Sequence, residues 1–269
     1  MQERLNVNKR YIVIPDQHIE YVDWPAYRCV LKAISMVQPT GFINLGDVGE
    51  WENASHWQWK RKQKPPLDYQ LPRIDADIKI VNERMDIIDE ALDKVNIKEK
   101  HMIEGNHDDW MNQLVKENEH LVSTTHKYGT GYLFKDAVSL ERRHYQFYPL
   151  GMKLKIGHLY FYHGHLVKGI DHPRQHLLKW GCNVMYGHYH DVQQRSITHI
   201  EGEKSAWSIG CLKRMDYEAN EFLGRNPTNW GHAFAIVDFW SKGEFSVTPV
   251  RIINGRCVVY GHLIDGNKK

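Results

Sequence analysis

The sequence predicts a mixed α/β fold in which two facing β-sheets lie between outer helices. The first half alternates short apolar runs with helical patterns, which is typical of βαβ units and their buried parallel strands. After about residue 130 the pattern changes to strands and hairpins. Polar motifs follow strands in both halves and would have to converge, so we expect a single domain over residues 1–269.

The first βαβ unit is predicted from residues 10–15, 25–37 and 41–45. The first and third of these are short apolar runs that end at turn residues, as buried strands do. The second has helical periodicity and begins with a proline, which suits the first position of a helix. A longer amphipathic helix is predicted over residues 74–95, followed by a strand at residues 100–104.

The second half of the chain has the pattern of an antiparallel sheet. A hairpin is predicted where residues 152–156 and 159–162 flank Gly157-His158, because a two-residue loop with glycine suits a tight turn. The remaining predicted strands are residues 182–186, 192–200, 206–209, 232–240, 245–250 and 256–260. These strands are sufficient to complete both sheets.

The composition is that of a globular protein and gives no bulk argument for a charged partner. Hydrophobic residues make up 42% of the chain, charged residues 25%, and the net charge is +2. No segment has the apolar length of a membrane span, and the first six residues lack the apolar core of a signal peptide. The four cysteines form no C-x-x-C pair, so we expect reduced, mostly buried thiols in a cytoplasmic protein.

Five short motifs follow predicted strands in a fixed order. They are Asp16-Gln17-His18, Gly46-Asp47, Gly105-Asn106-His107-Asp108, His163-Gly164-His165 and Gly187-His188-Tyr189-His190. Carboxylate, amide and imidazole groups suit Mn, Fe, Zn and similar ions. Asp16 and His18 are two residues apart and can face one ion, while an aspartate such as Asp47 can bridge two. One such motif alone is usually structural, but the ordered set predicts a two-metal site.

The pattern D-x-H, G-D, G-N-H-D, H-G-H, G-H-x-H resembles the calcineurin-like metallophosphoesterase superfamily, and the matched motifs span residues 16–190. The resemblance implies a four-layer αββα sandwich with the site at one edge. It implies a first metal held by Asp16, His18, Asp47 and His190, and a second held by Asp47, Asn106, His163 and His188. We expect two divalent cations, Mn²⁺ in the first place, with Fe, Zn, Ni or Mg as alternatives.

The implied reaction is hydrolysis of a phosphoester by a metal-bound hydroxide, with the cations roughly 3.5–4 Å apart. His107 follows the ligand Asn106, and in the family this position contacts the phosphate or protonates the leaving group. We expect Asp108 to orient His107 or a ligand histidine. His165 is not a family ligand, so we expect it to support the ligands or bond to backbone, with a substrate contact as the alternative.

Residues 51–66, which follow the Asp47 motif, combine tryptophans with lysine and arginine. Aromatic faces can stack on bases while cations pair with phosphates, as a nucleotide or single-stranded nucleic acid would require. The candidate contacts to such a substrate are His56, Trp57, Trp59, Lys60 and Arg61. The alternative is that the tryptophans pack under the loop and the basic side chains are solvated.

The second motif also narrows the type of phosphoesterase. Phosphoprotein phosphatases of this superfamily carry an arginine soon after the Gly-Asp pair, whereas residues 46–52 here read GDVGEWE. The final G-H-x-H block is similar to phosphodiesterases and nucleases. We therefore expect a phosphodiesterase acting on nucleotide or nucleic-acid phosphoesters. The alternatives are a phosphomonoesterase for a small metabolite or a terminal phosphate, and a non-catalytic scaffold that retains the fold.

Overall fold

The computed structural model describes residues 7–56, 63–224 and 226–268. The strands of these residues are β1 (Lys9–Ile14), β2 (Gly41–Asn44), β3 (Glu99–Ile103), β4 (Gln146–Tyr148), β5 (Leu154–Ile156), β6 (Leu159–Phe161), β7 (Asn183–Tyr186), β8 (Val192–His199), β9 (Gly202–Ile209), β10 (His232–Phe239), β11 (Phe245–Ile252), β12 (Arg256–Val259) and β13 (His262–Asp265). The α-helices are α1 (Trp24–Val37), α2 (Leu67–Lys94), α3 (Asp109–Glu117), α4 (Phe134–Ala137) and α5 (His172–Trp180). None of these described helices is both long and apolar enough to cross a bilayer.

The first sheet has the strand order β11-β10-β1-β2-β3-β4. The four strands from β1 to β4 are parallel, because α1, α2 and then the segment with α3 and α4 return the chain to the same edge before the next strand begins. The carboxyl ends of β1, β2 and β3 therefore meet at one edge. Strands β10 and β11 come from the second half of the chain; β10 pairs antiparallel with β1, and β11 pairs antiparallel with β10.

The second sheet has the order β5-β6-β7-β9-β8, with β6, β7 and β9 parallel and the two outer strands antiparallel. Helix α5 connects β6 to β7, so the carboxyl ends of these two strands also share an edge. Strands β12 and β13 form a separate hairpin that packs on α1.

The two sheets face each other through their apolar side chains, and helices cover their outer faces. Along β1 the side chains alternate, as the period of a strand requires. Tyr11 and Val13 join the cluster between the sheets, which includes Phe161 of β6. Ile12 and Ile14 point the other way, into the larger cluster formed with α1 and α2. Helix α5 packs on the far side of the second sheet. The predicted αββα layering is confirmed.

Several elements differ from the sequence prediction. Helix α2 begins at Leu67, seven residues before the predicted start at Ile74, although Pro72 lies inside it. Pro72 lies beyond the first turn and lacks a backbone donor there, while Leu67 and Leu71 pack against the core from this extra segment. Helices α3, α4 and α5 and strands β4 and β13 were not predicted.

Candidate metal centre

The predicted ligands lie in five loops at the carboxyl ends of parallel strands. The loops after β1, β2 and β3 extend from the first sheet, and those after β6 and β7 from the second. Although these are loop residues, Asp16 and His163 are fully buried and Asp47 is only 2% exposed. Buried carboxylates and imidazoles require partners, and the loops provide them for one another.

The first group of ligands comes together around Asp16, His18 and His190. The Nε2 atoms of His18 and His190 are 3.1 Å apart. Asp16 Oδ2 lies 3.1 Å from His190 Nε2. The same Asp16 oxygen accepts a hydrogen bond of 2.7 Å from the backbone N–H of His188, which ties the β1 loop to the β7 loop.

The second group gathers around His163 Nε2. This atom lies 3.2 Å from Asp47 Oδ2, 2.9 Å from Asn106 Oδ1 and 3.2 Å from His188 Nδ1. The other ring nitrogen, Nδ1, donates to the carbonyl oxygen of Leu45 at 2.9 Å, so Nε2 is the nitrogen left to bind a ligand. Asp47 Oδ2 is also 3.8 Å from His18 Nε2 in the first group. One carboxylate oxygen thus lies between the two groups.

Four of these ligand residues have the left-handed backbone conformation that residues other than glycine rarely adopt. The φ angles are 42° at His18, 49° at Asp47, 67° at His188 and 60° at His190. Such strain concentrates at functional sites and persists where the surrounding structure holds it. A Cβ at Gly105 would lie 2.1 Å from Asp47 Oδ1, so any side chain at this position would displace the Asp47 carboxylate.

Burial and mutual charge set the protonation of this centre. Burial opposes the charged form of His163, but the Asp47 carboxylate raises the pKa of His163 to about 9. Burial lowers the pKa of His18 to about 4 and, together with the charged His163 ring, lowers that of His188 to about 3. Neutral imidazole is the form that binds metals, so a cation would have to displace the extra proton of His163.

The donor atoms fit two divalent cations. The ligand atoms of Asp16, His18 and His190 all lie within 4.8 Å of one another, as do those of Asp47, His163 and His188. Asp16 Oδ1 and His190 Nδ1 are buried and have no hydrogen-bond partner within the described parts of the chain. Unpartnered buried donors and acceptors are rare in native proteins, and a bound ion is one accepted reason for them. The mixture of oxygen and nitrogen ligands suits Mn, Fe, Zn or Ni.

Comparisons with known proteins add a likeness of fold. No family model matches the chain, and no curated protein matches it either. Among solved structures, a single mutant of Vps29 from Entamoeba histolytica aligns with a TM-score of 0.44 and 11% identity, over 95% of this chain and 98% of that one. Vps29 from Chaetomium thermophilum aligns with 0.38 and 10%, over 90% and 97%. The E. coli phosphoesterase YfcE aligns with 0.38 and 16%, over 89% and 98%. Because these scores are low, the site is interpreted from its own geometry.

His107 lies next to the Asp47 carboxylate. Its backbone N–H donates to Asp47 Oδ1 at 2.8 Å. Its ring Nδ1 lies 3.1 Å from the carbonyl oxygen of Glu50. The ring is held between Trp110, at a centroid distance of 3.9 Å, and His18, at 4.7 Å. These contacts restrict the ring to one orientation beside the cation positions.

Asp108 lies behind the site and organises the loops. Its carboxylate accepts hydrogen bonds from the backbone N–H groups of Val48 and Gly105, at 3.0 Å each, and from Trp51 Nε1 at 2.9 Å. The expected contact with His107 or a ligand histidine is not among the hydrogen bonds of the described residues. Asp108 therefore acts on the site through the backbone of the Asp47 loop. Burial and the Asp47 charge raise the pKa of Asp108 to about 7.

Glu50 and Lys213 belong to the site but were not predicted. Glu50 Oε2 lies 2.9 Å from His18 Nδ1, and Glu50 Oε1 lies 3.7 Å from His107 Nδ1. Lys213 Nζ lies 2.6 Å from Glu50 Oε2, and the lysine residue is only 1% exposed. Glu50 had a local signal, because it is an acidic residue three positions after Asp47. Lys213 had none, since its partner lies 163 residues away.

Replacing Lys213 with methionine should destabilise the fold. The variant leaves the Glu50 carboxylate buried without its cation, and breaking a buried ion pair on one side typically costs ~3–5 kcal/mol. Urea unfolding of the metal-free protein measures the loss. The double variant Lys213→Met/Glu50→Gln is the control and should regain part of the stability, because it removes the unpaired charge. An unchanged unfolding midpoint in Lys213→Met would show that the pair is not needed.

Of the candidate substrate contacts in residues 51–66, the structure describes only His56. Trp57, Trp59, Lys60 and Arg61 lie outside the described residues. His56 is exposed, with its ring 6.5 Å from that of Trp110.

The structure also describes His165 and Trp51, two side chains that the sequence analysis singled out near the centre. His165 lies beside the second group, with its ring 6.0 Å from His163 and 6.5 Å from His188. Trp51 is fully buried and donates to Asp108, so for this tryptophan the packing alternative holds.

The pH dependence of stability should include a contribution from Asp77 of α2. Asn53 Nδ2 donates to Asp77 Oδ2 at 2.8 Å, linking α2 to the loop that follows Asp47. Burial raises the pKa of Asp77 from 3.8 to about 6. A carboxyl group with a raised folded-state pKa stabilises the fold most below its unfolded pKa, and this contribution is lost as the pH rises through about 6.

Replacing Asp77 with asparagine should remove this loss of folding stability with rising pH. Relative to the unsubstituted protein, the variant should gain stability between about pH 4 and about pH 7, as measured by urea unfolding across the range. Asp93→Asn, at an exposed position of the same helix, is the matched control and should show no trend. If the Asp77 variant keeps a constant difference from the parent at every pH, the proposed titration does not occur.

Proposed function

We propose that this chain is a binuclear metal-dependent phosphoester hydrolase that acts on phosphodiesters of nucleotides or nucleic acids. The observation that carries the proposal is the position of Asp47 Oδ2, 3.8 Å from His18 Nε2 and 3.2 Å from His163 Nε2. A carboxylate shared by two cations would occupy this position. When bound, two divalent cations clamp a phosphoryl group and acidify a water molecule for attack on it. Mn²⁺ is our proposed cation.

In this proposal His107 handles the proton on the leaving-group side. A carbonyl oxygen can only accept, so the 3.1 Å contact with Glu50 O places a proton on His107 Nδ1. In the doubly protonated ring Nε2 carries a second proton, which can bond the phosphate or pass to the departing oxygen. The packing of the ring against Trp110 keeps this nitrogen in place during the reaction.

A nucleotide substrate is supported by the surface next to His190. The ring of Trp230 lies 4.3 Å from the His190 ring and is only partly buried. It borders a cavity of about 180 Å³ that Tyr217, Asn226 and Thr228 also line. An aromatic face with hydroxyl and amide groups suits a base that stacks beside the scissile phosphate. The aromatic and basic residues 57–61 of the sequence add to this support.

The first test is hydrolysis of bis-(p-nitrophenyl) phosphate by metal-stripped protein, with and without added Mn²⁺. We expect turnover only with the metal, and the same assay with Fe, Zn, Ni and Mg ranks the cations. The absence of turnover with every cation would overturn the enzymatic proposal and favour a scaffold.

The second test compares substrates. We expect a higher kcat/KM for p-nitrophenyl thymidine monophosphate and single-stranded oligonucleotides than for p-nitrophenyl phosphate. A clear preference for the monoester would instead establish a phosphomonoesterase.

A further inference from the structure

The loop of residues 187–191 supplies a ligand to each cation position. His188 belongs to the second group and His190 to the first, with Tyr189 between them. Both histidines hold the left-handed backbone conformation, which residues other than glycine adopt at an energetic cost. This loop therefore depends on contacts from outside to keep both imidazoles in place.

Several of those contacts come from His172, the first residue of α5. The His172 ring stacks on Tyr189 with a centroid distance of 3.7 Å and an interplanar angle of 8°. Its Nε2 lies 3.0 Å from Asp191 Oδ2, and its Nδ1 lies 2.7 Å from the hydroxyl of Tyr186. The ring is 1% exposed, so its alternatives to these partners are few.

The hydrogen bonds of His172 fix the orientation of its ring. A carboxylate can only accept, so Nε2 carries a proton and donates to Asp191, while Nδ1 bonds the hydroxyl of Tyr186. Asp191 is held in turn, because Ser208 Oγ donates to its Oδ1 at 2.7 Å. The backbone of Asp191 is also fixed, since its carbonyl oxygen accepts from the N–H of Gly210 at 2.8 Å. The residue between the two ligands and the residue after them are thus both anchored by one imidazole.

We propose that His172 is a positioning residue for the metal centre, which holds the 187–191 loop so that His188 and His190 can bind their cations together. The proposal rests on the proposed function, because the two imidazoles matter in this way only if the centre binds metal. His172 does not touch the cation positions and acts through Tyr189 and Asp191. Partners behind metal ligands typically change metal affinity by about 10–100-fold when they are replaced.

The test measures Co²⁺ binding by visible absorption in metal-stripped protein and in His172→Phe. Phenylalanine keeps a flat ring against Tyr189 but removes both hydrogen bonds. We expect Co²⁺ affinity to fall by about 10–100-fold and the absorption bands to change, because the ligand geometry is altered. Unchanged affinity and bands would overturn the proposal.

His176→Phe is the matched control. His176 lies one turn further along α5, is fully buried, bonds the hydroxyl of Tyr162 and stacks on Tyr186 at 4.0 Å. Among the contacts of the described residues, none joins its side chain to residues 187–191. This variant should lose thermal stability but keep its Co²⁺ affinity, and an equal loss of affinity in both variants would overturn the proposal.

Two outcomes distinguish this inference from the proposed function. If the unsubstituted protein binds no Co²⁺, both fail. If it binds Co²⁺ and His172→Phe binds equally well, the metal centre stands and the positioning role fails. Should His172→Phe not fold, Asp191→Asn is measured instead. That variant keeps the shape of the side chain while weakening its hydrogen bond with His172, and the same fall in affinity is expected.

Discussion

In Asp47→Asn, we expect the two cation positions to be lost together. The side chain keeps its size and can still accept from the His107 N–H, but it no longer carries the negative charge that lies between His18 and His163. Affinity for both cations should fall by more than about 100-fold, beyond the range typical of residues that only support ligands. Co²⁺ titration and metal analysis measure affinity and stoichiometry, and Mn²⁺-dependent hydrolysis should be lost with them.

Asn106→Ala separates the two positions and serves as the comparison. Asn106 Oδ1 contacts His163 of the second group, and among the described residues it makes no contact with the first group. We expect one tightly bound cation to remain in that variant and none in Asp47→Asn. Two cations bound at full affinity to Asp47→Asn would show that this carboxylate does not bridge.

His107→Ala should slow the reaction without emptying the centre. A histidine that transfers a proton in the transition state typically contributes about 10²–10⁴-fold to the rate, and we expect kcat to fall within that range. Metal content should remain at the level of the unsubstituted protein, because the His107 side chain lies outside both ligand groups. Steady-state kinetics with a dinucleoside monophosphate measures the effect.

The leaving group decides which role His107 has. p-Nitrophenolate departs without a proton, so proton donation predicts a smaller loss with bis-(p-nitrophenyl) phosphate than with the dinucleotide. An equal loss with both substrates would assign His107 to binding the phosphate, and no loss with either would remove it from the mechanism. His262→Ala, an exposed position on β13, is the control and should retain full activity.

The sequence was informative wherever structure depends on neighbours along the chain. The apolar runs before Asp16 and Asp47 predicted β1 and β2, because a buried strand needs apolar side chains on both faces. The order and spacing of the motifs predicted that carboxylate, amide and imidazole groups would follow these strands. The start of α2 was predicted too late because Pro72 interrupts a pattern whose remaining apolar residues are only partly buried.

Outside the five motifs, contacts between segments that are separated along the chain could not be predicted from the sequence. His172 belongs to none of the five motifs, yet it stacks on Tyr189 and bonds Asp191. Nothing near Lys213 in the chain indicates that it pairs with Glu50. The sequence alone indicated the chemical types of the ligands and the strands that precede them, because periodic burial and turn chemistry are local properties. The partners that hold those ligands follow from sheet order and register, which bring together segments as near as the 19 residues between His172 and Asp191 and as far as the 163 between Glu50 and Lys213.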